Sequence, residues 1–310
     1  MSYPPVTVLI PAYNAARTIE RALASVWRQN YPEMEVIVVD DASTDDTSSR
    51  VEKMRGGNLR LIRLDENRGE CGAMNAGIQA ARSDYIAFLD ADDEWLDNKL
   101  ITQLPIIEAH PGMSFISSGG ESVDPEGRVV QIFGTETPSF SPGEFWRAFL
   151  VRSYVAKPAV IARRAKLLEV GGFDEALKIS GDQDMWIKLA LSGQVGFVPE
   201  VLVRVHQTSE SLMKRFGARE DEFSLPMIRN HLSRLASRLS KREVRQILAQ
   251  RYATAGRNIY ARGACGRGAA LVIRGVLLGN RPLQNLAYLL SAAPPTIRFK
   301  QRFPRWSRSR

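Results

Sequence analysis

Cysteine is nearly missing from this sequence: there are two in 310 residues, Cys71 and Cys265, far apart. Two are too few for a disulfide framework, and neither lies in a metal-ligand spacing, so a reducing cytosol is the expected setting. Histidine is as scarce, with His110, His206 and His231 in no zinc pattern. No stretch reaches the roughly 18 uninterrupted apolar residues of a membrane-spanning helix. The opening residues, Met1-Ser2-Tyr3-Pro4-Pro5, hold neither a basic segment nor a long apolar one, so no signal peptide is expected. Phosphate loops are also wanting. Neither Gly56-Gly57 nor Gly266-Arg267-Gly268 follows a strand and opens a helix as such a loop requires. There is no internal repeat and no long low-complexity segment.

Acidic residues are scarce in one place only. Residues 211–310 carry 21 Lys and Arg against 4 Asp and Glu, a net of +17, which leaves −9 of the overall +8 for the first 210 residues. An acidic body followed by a basic region points to an anionic partner surface, a membrane or a nucleic acid. No groove-reading motif is visible, and the acidic body argues against nucleic acid.

The first 110 residues alternate short β-branched runs with helical periodicity. Val6–Ile10, stopped by Pro11, reads as a buried strand, as do Glu35–Val39, Leu59–Leu64 and Tyr85–Leu89. Helices are expected over 16–29, from Ser43-Thr44-Asp45-Asp46 onward, and over 70–81. This alternation with short loops gives parallel βαβ units, whose ligand site lies at the C-terminal ends of the strands. Polar residues gather at those ends: Pro11-Ala12-Tyr13-Asn14, Asp40-Asp41, Asn67-Arg68-Gly69 and Asp90-Ala91-Asp92-Asp93. Beyond 110 the expected elements are short β-like pieces over 112–140, a helix over Phe145–Leu150, and a strand at Ala159-Val160-Ile161. A helix over Arg163–Val170, another over Asp182–Leu191, and two closing strands at Val195–Val198 and Val201–Val205 follow.

Asp90-Ala91-Asp92-Asp93 is the most telling segment. Three carboxylates at the end of a buried strand repel one another unless a cation or hydrogen-bond donors neutralise them. Oxygen-only ligands suit Mg²⁺ or Mn²⁺, ions that keep some waters and bridge to phosphates. An acidic turn capping the next helix is the plainer alternative. Four polar strand ends together favour a site for a phosphorylated donor.

The ordered set Val6–Asn14, Val38–Asp45, Asn67-Arg68-Gly69 with Asn75-Ala76-Gly77, Phe88–Asp93, Gly171-Gly172-Phe173-Asp174-Glu175 and Gly181-Asp182-Gln183-Asp184-Met185-Trp186 resembles the family 2 glycosyltransferases. The resemblance covers roughly residues 5–210. It implies the α/β fold known as GT-A, a Rossmann-like, mostly parallel sheet flanked by helices, and an inverting transfer from a UDP-sugar. It further implies that Pro11, Ala12 and Tyr13 line the base pocket next to Asn14. Asp41 would accept the uracil N3–H beside Asp40, and Arg68 would lie near the base or phosphates, with Asn75 also on the donor side. Asp92 would be central to the metal motif with Asp90, Ala91 and Asp93 around it, and Asp182 would be the general base. His206 would reach the diphosphate or complete the metal site; a histidine satisfied at a strand end is the alternative. Tyr13 is either pocket or core, Asn67 and Asn75 are ligands or turn-shaping residues, Asp182 is base or N-cap, and Asp184 is solvated or structural. The sequence departs from the family at Gly181, where Glu is common, at Met74, where Arg is common, and at Lys188, also often Arg.

The expected organisation is a GT-A domain over 1–215, split into a nucleotide-sugar half (1–110) and an acceptor half (111–215), and a basic helical region over 216–310. In that last region Leu232, Leu235 and Leu239 share one face, with Arg234, Arg238 and Arg242 elsewhere. Apolar Ala269–Leu278, Tyr288-Leu289-Leu290 and the tail from Arg298, with Phe303 and Trp306 between arginines, suit the headgroup region of an anionic membrane. A helical subdomain with a solvated basic face is the alternative. The expected protein is therefore a cytoplasmic enzyme, peripheral at the inner face of the plasma membrane. It would act on a glycan or lipid-linked acceptor in polysaccharide or lipopolysaccharide assembly. A GDP-sugar enzyme, a nucleotidyltransferase and a degenerate nucleotide-sugar binder that docks on membranes are the rivals. A nucleotidyltransferase would show a Gly-rich basic loop after the first strand, and Pro11–Asn14 is not one.

Overall fold

The computed structural model describes residues 3–54, 58–136, 143–207, 217–281 and 285. Gly56-Gly57, Thr208-Ser209, Tyr288-Leu289-Leu290 and the tail from Arg298 lie outside the described residues.

The four aliphatic runs form β1 (Val6–Ala12), β2 (Met34–Asp40), β3 (Asn58–Arg63) and β4 (Tyr85–Phe88). The chain returns between them through α1 (Ile19–Trp27), α2 (Thr47–Lys53) and α3 (Gly69–Ala80). β1 lies between β2 and β4, with β3 outside β2, and every one of these pairs is parallel. Helices cover both faces, as parallel sheets require, and β1 is buried along its whole length. Its side chains alternate: Val6, Val8 and Ile10 enter one core and Leu9 the other, as Val36 and Val38 and then Ile37 and Val39 do on β2. Each such side chain contributes about 1.5–3 kcal/mol by leaving water. Pro11 does not end β1, which continues to Ala12 in register with Asp40. Past Leu9, β1 pairs with β2 alone, so a residue without an N–H costs no ladder bond toward β4.

The second half comprises β5 (Glu94–Trp95), α4 (Lys99–Ala109), β6 (Met113–Val123), β7 (Val129–Phe133), α5 (Phe145–Val151), a 3-10 turn at Lys157–Ala159, β8 (Ile161–Arg163), α6 (Arg164–Glu169), α7 (Gly181–Ser192) and β9 (Gln194–His206). The sheet order is β3-β2-β1-β4-β8-β6-β9-β5, with β7 on β6. β8 runs antiparallel between β4 and β6, and β6 and β9 are parallel. The expected short pieces over 112–140 include one 11-residue strand, β6. The two expected closing strands are one strand, β9, in which Pro199 and Glu200 bulge out between the pairs Ser118↔Val198 and Gly119↔Val201.

The basic region forms α8 (Glu220–Arg234), α9 (Lys241–Ala261) and α10 (Cys265–Leu277). A reciprocal capping box between Ser240 and Glu243 starts α9. α9 and α10 touch backbone to backbone: a Cβ on Gly268 would stand 2.5 Å from the Tyr260 nitrogen and 2.6 Å from the Gly256 oxygen. Met227, Ile228, Leu232, Leu235, Leu239 and Ile247 join the core that also holds Leu9, Phe88 and Trp186. Arg234, Arg238 and Arg242 stay exposed. Among the described residues no helix is long and apolar enough to cross a membrane.

Candidate active site

The polar strand ends converge where the sequence placed them, at the C-terminal edge of β1, β2 and β4. Pro11 and Ala12 end β1, and Tyr13 follows at 47% exposure, so it is not a core residue. Asn14 takes a left-handed backbone (φ 50°) and its Oδ1 accepts from the Thr44 amide at 2.8 Å, while the Asn14 amide donates to Ser43 Oγ at 2.9 Å. The turn after β2 is thereby pinned to the turn after β1. Asp40 is buried in the same device: its Oδ1 accepts from the Ser43 amide (2.9 Å) and its Oδ2 from Ser48 Oγ. Asp41 is 2% exposed and its Oδ1 accepts from the Arg68 amide at 2.7 Å. Burial pushes the Asp41 carboxyl up; the amides of Arg68 and Gly69 and the Arg68 charge pull the other way.

Arg68 Nη2 reaches both oxygens of Glu175, at 2.8 and 3.0 Å. Asn75 is used up in joining α3 to the Gly171–Glu175 turn. Its Oδ1 accepts from the Phe173 amide (2.8 Å), and its Nδ2 donates to Phe173 O (2.9 Å) and Glu175 Oε1 (3.0 Å). It shapes a turn, one of its two expected roles. Met74, in the place where arginine was common, is wholly buried.

The aspartate cluster divides its labour. Asp93 is 4% exposed, and its Oδ1 accepts from the His206 amide at 2.9 Å, locking the end of β9 to the cluster. The His206 ring meets Glu94 Oε1 at 2.7 Å, and Glu94 also faces Arg21 (3.6 Å) and Arg28 (3.4 Å). The outer members of the expected metal set, Asp93 and His206, thus have other partners in this arrangement. Ala91 is buried, and Asp92 stays part-exposed. Asp90 pairs with Lys157, a residue the sequence reading missed. Burial first, then the charges of Asp93, Asp92 and Asp182, push the Asp90 carboxyl well above its usual range; burial and Asp92 do the same to Asp93. Among the described residues no three His, Cys, Asp or Glu side chains are grouped to hold an ion. Part-exposed Asp92, with Asp90 next to it in the same turn, is a donor set of the kind that holds Mg²⁺ by one or two carboxylates while substrate phosphates complete the shell.

Asp182 enters from the other side, at the start of α7. Ser180 before it is left-handed (φ 66°), and Asp182 Oδ1 accepts from the Gln183 amide at 2.7 Å. Its carboxyl is raised by burial, against the Gln183 amide and the Lys157 charge. One core contact ties its helix to the strand that leads into Asp90. Trp186, a turn along α7, packs on Phe88, two residues before Asp90, with centroids 5.9 Å apart. Gly181 lacks the glutamate common in the family for a steric reason: a Cβ there would stand 2.4 Å from Cys71 Sγ on α3. The Cys71 thiol, pushed up to about 12 by burial and the surrounding carboxylates, stays protonated. Asp184 is structural. Its Oδ1 meets His231 Nε2 at 2.7 Å and its Oδ2 meets Lys188 Nζ at 2.6 Å, tying α8 to α7.

The sequence did carry a signal for Lys157. It is the lone charge in the run Val155–Ala162, and a single lysine inside a strand-like segment is either an edge residue or a functional one.

Residues 7–163 match the family model described as "Glycosyl transferase family 2". The succinoglycan biosynthesis protein ExoO of Rhizobium meliloti (strain 1021) is 36% identical over 188 residues, 58% of this chain and 53% of that protein. The Escherichia coli UDP-Glc:alpha-D-GlcNAc-diphosphoundecaprenol beta-1,3-glucosyltransferase WfaP is 37% identical over 103 residues, 33% of this chain and 41% of its own. The match thus spans about half the length of these curated relatives or less. In structure, S. aureus TarS 1–349 superposes with a TM-score of 0.61 at 24% identity, covering 92% of this chain and 89% of that one. The mannosyltransferase PcManGT of Pyrobaculum calidifontis, solved with GDP-Man and Mn²⁺, gives 0.60 at 22% identity over 92% and 79%. These likenesses show the GT-A type of fold.

Proposed function

The chain belongs to glycosyl transferase family 2, and from that premise we propose that it transfers a sugar from a UDP-sugar to a hydroxyl of a glycan or lipid-linked acceptor. The setting would be the assembly of a cell-surface polysaccharide or lipopolysaccharide. The observation that carries the reading is the Phe88–Trp186 contact, which packs the helix opened by Asp182 against the strand that leads into Asp90–Asp93. A nucleotide held along Pro11–Asn14, Asp40, Asp41 and Arg68 would leave its diphosphate beside Asp92 and Asp90 and its sugar between Asp90 and Asp182. A carboxyl raised by burial is suited to take a proton from an attacking hydroxyl.

Asp182 removes the acceptor proton as the acceptor oxygen bonds to the anomeric carbon. The bond from that carbon to the phosphate oxygen breaks on the opposite face, UDP departs with the electron pair, and the centre is inverted. Mg²⁺ or Mn²⁺ on Asp92 and Asp90 would supply charge neutralisation for the departing diphosphate. Support for the donor and acceptor classes comes from WfaP, whose name states UDP-Glc and a diphosphoundecaprenol acceptor, and from TarS, solved with UDP-GlcNAc. PcManGT, with GDP-Man, supports the GDP alternative. The basic helices α8–α10 are read as the surface that meets an anionic membrane from the cytoplasmic side, and nucleic acid is not read as a partner.

Calorimetric titration of UDP and GDP, each with and without Mn²⁺, against the wild type and Asp92→Ala tests this. Metal-dependent UDP binding lost in Asp92→Ala is the expected result. Tighter GDP binding would move the donor to a GDP-sugar, and binding of neither would sink the enzyme reading in favour of a degenerate binder.

A further inference from the structure

Lys157 is buried at the centre of the candidate site, at 6% exposure. Its ammonium pairs with Glu70, in the first turn of α3, and with Asp90, just past β4. The turn that carries it is fixed from behind. Trp95 Nε1 donates to Pro158 O at 3.0 Å and Gln103 Nε2 donates to Ala159 O at 3.0 Å, both buried. Gln103 is oriented in turn by Lys99, wholly buried, whose Nζ donates to Gln103 Oε1 at 2.7 Å.

A lysine whose only task was to neutralise Glu70 and Asp90 would do so from water at little cost, since those side chains are 37% and 27% exposed. Burying the head is expensive and calls for a further reason. An ammonium carries three donors, and Glu70 and Asp90 are its two ion-pair partners. With two carboxylates around it, the ammonium has no surplus positive charge to offer a diphosphate. A neutral hydroxyl suits it well, able to accept from the ammonium and to donate to either carboxylate. The charge of Asp182 also acts on Lys157.

We propose that Lys157 is a donor-sugar-binding residue that sets specificity, its ammonium held by Glu70 and Asp90 and donating to a hydroxyl of the sugar while the nucleotide is gripped elsewhere. The assignment rests on the glycosyltransferase reading. It concerns the sugar alone.

The test is calorimetry with Mn²⁺ on the wild type, Lys157→Met and Lys157→Arg. The ligands are UDP, UDP-glucose, UDP-N-acetylglucosamine, GDP and GDP-mannose. For the sugar nucleotide the wild type binds best, Lys157→Met is expected to lose about tenfold or more in affinity, the worth of a charge-assisted hydrogen bond. Affinity for the parent nucleoside diphosphate should hold within about threefold. Lys157→Arg, which keeps the charge but shifts the donors, should reorder the preference among sugars. In Lys157→Met the two carboxylates lose their counter-charge, so the double variant Lys157→Met/Glu70→Gln is measured beside it and should show the same split. Equal losses for nucleotide and sugar nucleotide, or no loss for either, would overturn the assignment alone. Failure of the wild type to bind any nucleoside diphosphate would overturn the glycosyltransferase reading, and the assignment with it.

Discussion

Phe88 and Trp186 meet in the core with ring centroids 5.9 Å apart, and that contact joins the strand that leads into Asp90 to the helix whose first turn holds Asp182. Trp186 also faces Phe115 at 5.4 Å and Phe173 at 6.5 Å, so α7 is clamped by aromatics from three segments. Each such pair is worth about 0.5–1.5 kcal/mol beyond burial.

Phe88→Leu should therefore lower the transfer rate more than it lowers nucleotide affinity. A displacement of about 1 Å between reacting groups can cost on the order of a hundredfold, whereas the base pocket lies at other strand ends. Steady-state kinetics beside UDP titration checks this; equal losses in both would show that the contact does not set the spacing.

Asp182→Asn should cut kcat by roughly a hundredfold to ten-thousandfold, the usual worth of a general base, and leave nucleotide binding intact. Because burial raises the Asp182 carboxyl, the wild-type rate should rise with pH through a value above the ordinary aspartate range, as the base loses its proton. A pH–rate profile that keeps this acid limb in Asp182→Asn would assign the limb to another group.

Gly181→Ala should destabilise the protein by about 1–3 kcal/mol, because the new methyl group meets Cys71 Sγ. Cys71→Ala should relieve most of that loss in the double variant. Thermal or urea denaturation of the four-member cycle measures the coupling, and additive effects would mean that the two residues do not share the space.

Asp184 gives a stability effect with a defined sign. Burial pushes its carboxyl up, but the hydrogen bonds from His231 and Lys188 outweigh it and hold the carboxyl below the usual value. The stabilisation is then present above the unfolded value of about 4 and lost as pH falls through the folded one. Asp184→Asn should be less stable than wild type by about 1–3 kcal/mol at pH 7, with the gap closing below about pH 4. A gap that holds constant down to pH 3 would contradict the assignment.

Sedimentation with vesicles tests the membrane reading. Arg234→Gln/Arg242→Gln removes two exposed charges, and should weaken binding to anionic vesicles by about 2 kcal/mol, some thirtyfold. Neutral vesicles should be bound weakly by both proteins. Equal binding of wild type and variant to anionic vesicles would leave these helices with a packing role only.

The first half of the chain was legible because its chemistry is local. Val6–Ile10 and Val36–Val39 carry enough β-branched side chains to fix buried strands, and strand–helix alternation fixes their parallel order. Polar residues at the ends of such strands then fall on one edge, which is how Tyr13, Asp41 and Asp90–Asp93 could be named in advance. The second half was less legible because its pairing is not local. β9 crosses a bulge at Pro199-Glu200 that reads as a gap, and β8 fits between β4 and β6 only once both exist.

Sequence alone determined which groups gather in the chain: carboxylates at strand ends, an aspartate opening a helix, and a basic region after an acidic body. Only the tertiary structure decided which of them find partners in one another. Asp93 and His206 turned to each other's segments, Asn75 was consumed in a turn, and Lys157 was drawn in between Glu70 and Asp90. The physical reason is that a buried polar group must find its partner wherever packing brings one within about 3 Å, and that distance is set by contacts such as Phe88 on Trp186, between residues that the linear chain keeps far apart.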